Sequence, residues 1–382
     1  MNLWNPLQDA PGRWKVGDPL ENVGTPALLI DLQAFDHNLR QMADLARRHG
    51  IALRPHAKAH KSTAISRQQI EQGAVGICCQ KLSEAYPFAA AGVRSIHISN
   101  EFVGKDKLAM AMDLAGRVEL SVCVDHMAQI NALGLATQRS GVALTVFPEV
   151  DIGQGRCGVS DADALMTLVD GIARHSLLQF GGLQAFHGGL QHIPGWAERR
   201  QATLHATERV AQCVRFLESR GVPCAVVTGG GTGTAEFDVA SGVYTEIQPG
   251  SYIFLDGHYG ANEWHHGGQT SRHSLFIVTT IMSTAKPGRA VCDLGLKGVA
   301  VDSGLPGPWT HDAGSALRYV AANDEHGVLE LPPDLDRDLL GERLLLVPGH
   351  CDPTVNLYQQ YTGFRDGKVA CLWNIESRGL SQ

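Results

Sequence analysis

Short apolar runs alternate with amphipathic stretches through the first two thirds of the chain, and this alternation limits the possible folds more than any other feature. The runs that predict strands are 27–30, 51–56, 75–80, 95–99, 120–125, 144–150, 183–187, 225–228 and 245–247. Amphipathic patterns such as residues 198–220 lie between most of them. Strands that alternate with helices form a parallel sheet. About eight repeats over roughly 240 residues match the usual size of a (β/α)8 barrel.

An open, doubly wound parallel sheet is the alternative, but no Gly-x-Gly-x-x-Gly pattern follows the first predicted strand. Residues 27–56 predict the first strand–helix–strand unit of the barrel. Asp31 is a typical helix N-cap, apolar residues follow it at helical spacing, and Gly50 suits the helix end.

The pattern changes after about residue 270, where runs rich in β-formers are separated by Gly and Pro. These runs are 274–280, 289–293, 342–347 and 369–374. We therefore predict a (β/α)8 TIM-type barrel over residues 25–270. A C-terminal β domain over residues 271–382 follows, and residues 1–24 are assigned to it.

Charge and composition exclude several classes of protein. The net charge of −7 and the isoelectric point near 6.2 argue against a nucleic-acid binder. No apolar run reaches the length of about 18 residues needed to span a membrane, and the N-terminus does not resemble a signal peptide. The nine cysteines form no Cys-x-x-Cys pair. We therefore expect a cytoplasmic protein that binds neither nucleic acid nor membrane.

Residues 53–62 place two lysines and two histidines at the end of a predicted strand. Partial burial of a lysine there favours the neutral amine, which can form a Schiff base with an aldehyde cofactor. Taken alone, the stretch fits equally well a basic loop with two surface lysines, Lys58 and Lys61.

Two glycine-rich loops follow late strands of the predicted barrel, at residues 228–234 and 250–252. Backbone N–H groups in such loops converge on phosphate, and barrels often bind phosphate after their seventh and eighth strands. The candidate phosphate contacts are Gly230, Gly231, Thr232, Gly250, Ser251 and Tyr252. Flexible turns are the alternative.

Arg156 is framed by glycines in residues 151–158. Its guanidinium could offer a planar fork of hydrogen-bond donors to a ligand, or it could lie in a surface turn.

His350 and Asp352 lie two positions apart in the β-rich region. In an extended segment these side chains share one face, with Cys351 turned away. An imidazole and a carboxylate form half of a divalent metal site suited to Mn²⁺, Mg²⁺, Co²⁺ or Zn²⁺. Water, substrate oxygens, Asp324 or Glu325 would complete the shell. A kinked segment would make Cys351 a ligand, and a polar turn without metal is the remaining alternative.

Taken together, these stretches resemble the D-threonine aldolase branch of the fold-type III pyridoxal-phosphate enzymes. The chain is also similar to D-serine and D-threo-3-hydroxyaspartate dehydratases, and more distantly to alanine racemase. The stretches that carry the resemblance span nearly the whole chain in the family's order. They are residues 25–31, 54–58, 155–158, 229–231, 248–252 and 350–354.

The resemblance implies that Lys58, not Lys61, bonds to pyridoxal phosphate and that Arg156 contacts the cofactor's phenolic oxygen. Gln80 is assigned to the same cofactor site. It also implies a metal at His350 and Asp352. Because the dehydratases carry a cysteine where this chain has Asp352, the aldolase branch and Mn²⁺ are favoured, although Cys351 is only one position away.

The predicted activity is cleavage of D-threonine and related D-3-hydroxy-amino acids to glycine and an aldehyde. Lys58 is the covalent anchor, and His187, at a strand end, is a candidate base or a core histidine. A dehydratase that releases ammonia is the main alternative. A racemase and a non-catalytic carrier of the cofactor are further alternatives. The resemblance also implies a homodimer, because in this fold type the β domain often completes the partner's site.

Overall fold

The computed structural model describes residues 13–265, 271–309 and 317–382. Their contacts divide them into two compact units. One comprises residues 39–252, 261–265 and 379–382, and the other comprises residues 13–38, 253–260, 271–309 and 317–378. This division differs from the predicted one mainly because residues 25–38 and 253–260 belong with the second unit.

The strands in chain order are β1 Ala27–Asp31, β2 Ala52–Leu53, β3 Ile77–Cys79, β4 Ser95–Ile98, β5 Glu119–Val124, β6 Leu144–Pro148, β7 Leu178–Phe180, β8 Leu183–Ala185, β9 Val227–Gly229, β10 Glu246–Ile247, β11 Leu275–Lys286, β12 Arg289–Cys292, β13 Gly307–Pro308, β14 Arg318–Ala322, β15 Gly327–Glu330, β16 Arg343–Val347, β17 Gln360–Arg365 and β18 Lys368–Asn374. The helices are α1 Leu32–His49, α2 Thr63–Glu71, α3 Leu82–Ala90, α4 Lys105–Ala115, α5 Met127–Ser140, α6 Ala162–Ala173, α7 Trp196–Ser219, α8 Ala235–Ala240, α9 Gly257–Gly260 and α10 Cys351–Val355. None of the described helices is long and apolar enough to span a membrane.

The first unit is a closed parallel barrel. Strands β3 to β7 form one sheet, and β2, β10, β9 and β8 form another. Parallel bridges between His56 and Cys78 and between Glu149 and Gln184 join the two sheets. Only Gly181 and Gly182 separate β7 from β8, so these two act as one strand and eight strands complete the circle. The predicted (β/α)8 barrel is confirmed, and the open sheet is excluded.

The second unit is built on a mixed, mainly antiparallel sheet of nine strands. Strand β1 lies inside it, antiparallel to β11 and parallel to β17. The prediction that residues 27–30 begin the barrel is therefore wrong, and β2 is the first barrel strand. Residues 27–30 are completely buried, and a fully buried apolar run shows no alternation that would tell which sheet it joins. Residues 17–20 bond to the ends of β18, so the described N-terminal residues do join this unit.

A chain of polar side chains runs through the barrel interior and links five of its strands. Its hydrogen bonds join Arg54 to Glu246 at 2.9 Å, Glu246 to Thr228 at 2.7 Å, Thr228 to Gln248 at 2.7 Å, Gln248 to Gln184 at 2.9 Å and Gln184 to His97 at 3.2 Å. Burial and the charge of Arg54 lower the pKa of His97 to about 4, so its imidazole is neutral. The ion pair between Arg54 and Glu246 is the charged end of this network.

Arg54→Ala should destabilise the barrel by about 3–5 kcal/mol, because it leaves Glu246 buried without its cation. The two side chains are only 14% and 9% exposed. Arg215→Ala removes a pair with Glu208 whose side chains are 60% and 56% exposed, and it should cost less than about 1 kcal/mol. Urea unfolding of both variants measures the difference. Equal losses would show that the interior pair does not hold the barrel together.

Candidate active site

Lys58 lies in a single turn of 3-10 helix, Ala57–Ala59, at the carboxyl end of the first barrel strand. Its side chain is half-buried. The turn is held by His56, whose Nδ1 accepts the Lys58 N–H at 3.4 Å and whose Nε2 lies 2.9 Å from Ser99 Oγ. Burial, together with the nearby Lys58 charge, lowers the pKa of His56 well below its ordinary value. A neutral, hydrogen-bonded imidazole thus fixes the backbone that carries Lys58.

Lys61, the other lysine of this stretch, forms a buried ion pair. Its ammonium lies 2.9 Å from Glu84 Oε1, and the two side chains are 10% and 5% exposed. The other oxygen of Glu84 accepts the N–H groups of Gln80 and Lys81, which fixes the start of α3. Lys61 therefore balances this buried carboxylate, and Lys58 stays the predicted covalent anchor. Gln80 directly follows β3, and its amide donates to the Ser99 carbonyl at 3.3 Å.

The first glycine loop, after β9, packs too closely for side chains. Gly230 has a φ of +66°, and a Cβ added there would lie 2.3 Å from Asp238 Oδ2. A Cβ on Gly231 would lie 2.5 Å from Gln191 Oε1. The Gly231 N–H is already bonded to Asp238. Burial raises the pKa of Asp238 to about 7, although its bonds to Thr234 and Gly231 oppose the rise. Asp238 thus engages the Gly231 N–H in this structure, and phosphate contact by Gly230 and Gly231 stays a prediction.

The two threonine hydroxyls of this loop differ. The Thr234 hydroxyl donates to Asp238 at 2.6 Å and accepts from Gln191 at 2.9 Å. The Thr232 hydroxyl is buried and has no hydrogen-bond partner within the described residues. Leaving a buried hydroxyl unpaired costs free energy. Thr232 is therefore the clearest sign that a ligand with acceptor oxygens belongs in this loop.

The second glycine loop, after β10, lies against the lysine turn. A Cβ added at Gly250 would lie 3.0 Å from the His56 carbonyl oxygen, so close approach requires glycine here. Ser251 is buried beside it. The Tyr252 side chain is completely buried, and its hydroxyl accepts from the Gln69 amide at 3.1 Å. The hydroxyl proton and the backbone N–H are the two donors that Tyr252 has to offer a phosphate.

Arg156 follows β6 on the same rim, with its side chain 43% exposed. Its guanidinium carbon lies 5.3 Å from the centre of the Phe186 ring, and Nη2 lies 3.7 Å from Glu149 Oε1. Burial and the neighbouring Glu101 raise the pKa of Glu149 to about 9. Because Glu149 is protonated near neutral pH, it competes weakly for Arg156, whose donors can serve a ligand.

A group of acidic residues beside Arg156 was not predicted. The ligand atoms of Glu101, Asp125 and Cys157 all lie within 4.8 Å of one another. Burial, together with the neighbouring Glu101, raises the pKa of the Cys157 thiol to about 11. The crowding of these acidic groups therefore favours their protonated forms. Asp125 and Glu149 lie at the ends of predicted strands, and this position could have marked them as site candidates. Glu101 lies in a loop, where no sequence pattern marked it.

His187 follows β8 and faces the loop that contains Arg156. Burial lowers the pKa of His187, and the charge of Asp151 opposes this shift. Its Nδ1 is buried and has no hydrogen-bond partner among the residues that the structure describes. Burial therefore favours the neutral imidazole, and both the base and the core-histidine interpretations of His187 stay predictions.

His350 and Asp352 lie at the start of α10, in the second unit. His350 is extended, with φ −136° and ψ 124°, but the helix begins at Cys351, so the predicted extended geometry is wrong beyond His350. Cys351 is completely buried, its N–H donates to Asp256 at 2.8 Å, and its thiol lies 3.3 Å from Asp352 Oδ1. Asp352 is only half-buried. The packing thus favours Asp352 over Cys351 as the metal ligand.

The residue that contacts His350 is one the sequence did not suggest. Asp302 Oδ2 lies 2.7 Å from His350 Nδ1. Of the two residues predicted to complete the shell, Glu325 instead pairs with Lys297 at 2.7 Å on the surface. Asp324 is exposed, and its carbonyl accepts the Lys297 N–H.

Comparison with known proteins shows which family the chain belongs to. Residues 30–257 match the family described as alanine racemase, N-terminal domain, and residues 274–364 match a putative serine dehydratase domain. A D-threonine aldolase from Arthrobacter sp. is 47% identical over 96% of each chain. The chain belongs to the D-threonine aldolase family.

The chain is more similar to aldolases than to a dehydratase among the following relatives. A crystal structure of D-threonine aldolase from Filomicrobium marinum superposes with a TM-score of 0.91 at 41% identity, covering 96% of this chain and 98% of that one. A 3-hydroxy-D-aspartate aldolase from Paracoccus denitrificans (strain Pd 1222) is 40% identical over 94% of this chain and 92% of its own. A D-threo-3-hydroxyaspartate dehydratase from Delftia sp. is only 29% identical, over 92% and 97%.

Pyridoxal phosphate is the cofactor expected for this fold-type III family. The residues at the rim fit it. The unpaired Thr232 hydroxyl and the side-chain-free surface at Gly230 suit a phosphate, Lys58 offers an amine, and Arg156 offers donors to an anionic oxygen.

Thr232→Val should weaken pyridoxal-phosphate binding roughly tenfold or more, because a hydrogen bond to a charged group contributes about 1.5–3 kcal/mol. It should leave the stability of the apoprotein unchanged or slightly higher, since the lost hydroxyl has no described partner. Thr234→Val should instead lower apoprotein stability, because that hydroxyl bonds Asp238 and Gln191. Cofactor titration and thermal unfolding of both apoproteins test this. A destabilised Thr232→Val apoprotein would contradict the assignment.

Glu149→Gln should change the dependence of stability on pH. The folded-state pKa of Glu149 is raised to about 9 from 4.5, so the native state retains a proton that the unfolded state loses between these values. Stability therefore falls as pH rises through that window, and the neutral glutamine removes this loss. The gain in melting temperature should be larger at pH 8 than at pH 5. Glu71→Gln, at an exposed position, should show no such trend. A gain in melting temperature for Glu149→Gln that is the same at pH 5 and pH 8 would refute the raised pKa of Glu149.

Proposed function

We propose that this protein cleaves D-threonine and related D-3-hydroxy-amino acids to glycine and an aldehyde. The observation that carries the proposal is the match at 47% identity to an aldolase over nearly the whole of both chains. The greater distance of the dehydratase from Delftia sp. supports carbon–carbon cleavage over loss of water. Asp352, where the dehydratases carry cysteine, points the same way.

The barrel rim would hold the cofactor. Pyridoxal phosphate, when bound, supplies the electron sink that stabilises the carbanion left by bond cleavage. The Lys58 amine would hold its aldehyde group, the Thr232 hydroxyl would donate to its phosphate, and Arg156 would donate to its phenolic oxygen. Because Glu149 stays protonated at neutral pH, it does not neutralise Arg156 fully.

Protons must leave the β-hydroxyl of the substrate and arrive at Cα. His187 is neutral near pH 7, because burial lowers its pKa, so its Nδ1 can accept and return a proton. His350 and Asp352 would hold a divalent metal, which supplies polarisation of a hydroxyl oxygen. The mixed nitrogen and oxygen donors suit Mn²⁺, our proposed metal, and also admit Co²⁺, Mg²⁺ or Zn²⁺.

We also propose a cytoplasmic homodimer whose partner is a small D-amino acid, not nucleic acid or membrane. All nine cysteines are free thiols, as is usual in a reducing compartment. The negative net charge argues against nucleic acid. The dimer is proposed from the resemblance to fold-type III enzymes and can be tested by light scattering in solution.

The activity is tested with the enzyme loaded with pyridoxal phosphate and Mn²⁺. D-threonine should yield acetaldehyde and glycine in equal amounts, and L-threonine should yield neither. Chelation should abolish turnover. Lys58→Ala should lose activity and the absorbance band of the covalently bound cofactor, while the exposed Lys105→Ala should keep both.

Ammonia and a keto acid as the main products would show a dehydratase instead. Racemisation that survives complete chelation would show a racemase. A band like that of the wild type in Lys58→Ala would mean that another lysine is the anchor.

A further inference from the structure

The contact between Asp302 and His350 determines which imidazole nitrogen can bind a metal. Asp302 Oδ2 lies 2.7 Å from His350 Nδ1, and the Ser303 hydroxyl donates to the same carboxylate oxygen at 2.9 Å. A neutral histidine carries one N–H and one free lone pair, and the partner of one nitrogen fixes the role of the other. With the proton on Nδ1 and bonded to Asp302, the lone pair is on Nε2.

The turn that carries Asp302 is firmly attached to the segment that carries His350. The Thr354 hydroxyl donates to the His350 carbonyl at 2.7 Å and accepts the Ala300 N–H at 3.2 Å. A Cβ added at Gly349 would lie 2.2 Å from the Gly304 carbonyl oxygen. Because the segments are tied on both sides of Asp302, the hydrogen bond to His350 is part of a built arrangement and does not depend on a mobile surface chain.

Stability alone does not explain this bond. The side chain of Asp302 is 51% exposed and that of His350 is 28% exposed, and pairs at such exposure contribute little to folding. Histidines that bind metals usually donate their second nitrogen to a carboxylate, which orients the ring and raises its basicity. The geometry fits that arrangement.

We propose that Asp302 is a positioning residue for the metal site, holding the His350 ring so that Nε2 faces the ion. This inference rests on the metal site of the proposed function. It adds a residue that contacts neither the substrate nor, directly, the metal.

The test is a calorimetric titration, in which Mn²⁺ is added to metal-free enzyme loaded with the cofactor and the dissociation constant is measured. Asp302→Ala should weaken Mn²⁺ binding by about 10–100-fold, the range typical for loss of such a carboxylate. Asp302→Asn should retain part of the affinity, because its amide oxygen can still accept the Nδ1 proton. Asp334→Ala, at an exposed carboxylate of the same unit, should bind like wild type. Melting temperatures of all three metal-free variants should match that of wild type.

The outcomes separate the inference from the proposed function. Wild-type affinity in Asp302→Ala, together with lost binding in His350→Ala, would overturn the role of Asp302 and leave the metal site standing. Equal losses in Asp302→Asn and Asp302→Ala would also overturn it, because orientation through an acceptor would then not matter. Normal binding in His350→Ala would refute the metal site itself, and the inference with it.

Discussion

The buried ion pair between Arg54 and Glu246 is the constraint on which the rest of the barrel depends. Most barrels of this kind fill their interior with branched apolar side chains. Here the Arg54 cation is matched by the Glu246 anion, which accepts from the Thr228 hydroxyl, and that hydroxyl accepts from the Gln248 amide. Hydrogen bonds have directions, so a shift in strand register would break several of them at once. The same strands end in the loops that hold Lys58 and the glycines, so this network also sets the shape of the rim.

The fold was predictable where the pattern was repetitive. Strands that alternate with helices leave few solutions, and the strand ends then fall on one rim without further information. The first strand was misplaced because residues 27–30 are buried throughout. A fully buried strand has the same apolar sequence pattern whether it joins the barrel or the other sheet. Four of the strands in the second unit, β13, β14, β15 and β17, were missed, since short antiparallel strands separated by turns leave weak periodicity.

Residues in the loops that follow barrel strands, such as Lys58 and Thr232, could be placed on one rim from the sequence alone. Other features depend on contacts between distant parts of the chain. The pairing of Lys61 with Glu84 could not be read from either residue, nor could the bond between Asp302 and His350, which are 48 positions apart. The helix that begins at Cys351 similarly changed which side chains share a face. In each case local spacing carries no information about the partner.

The suppressed ionisation of Cys157 has a consequence for the proposed reaction, whose product is an aldehyde. Thiolates add readily to carbonyl carbon, so an ionised thiol on the rim would capture part of the product as a hemithioacetal. With a pKa raised to about 11, only about one molecule in a thousand carries the thiolate at pH 8. Partial burial and the neighbouring carboxyl groups thus keep the Cys157 thiol protonated, so that it would capture little of the aldehyde.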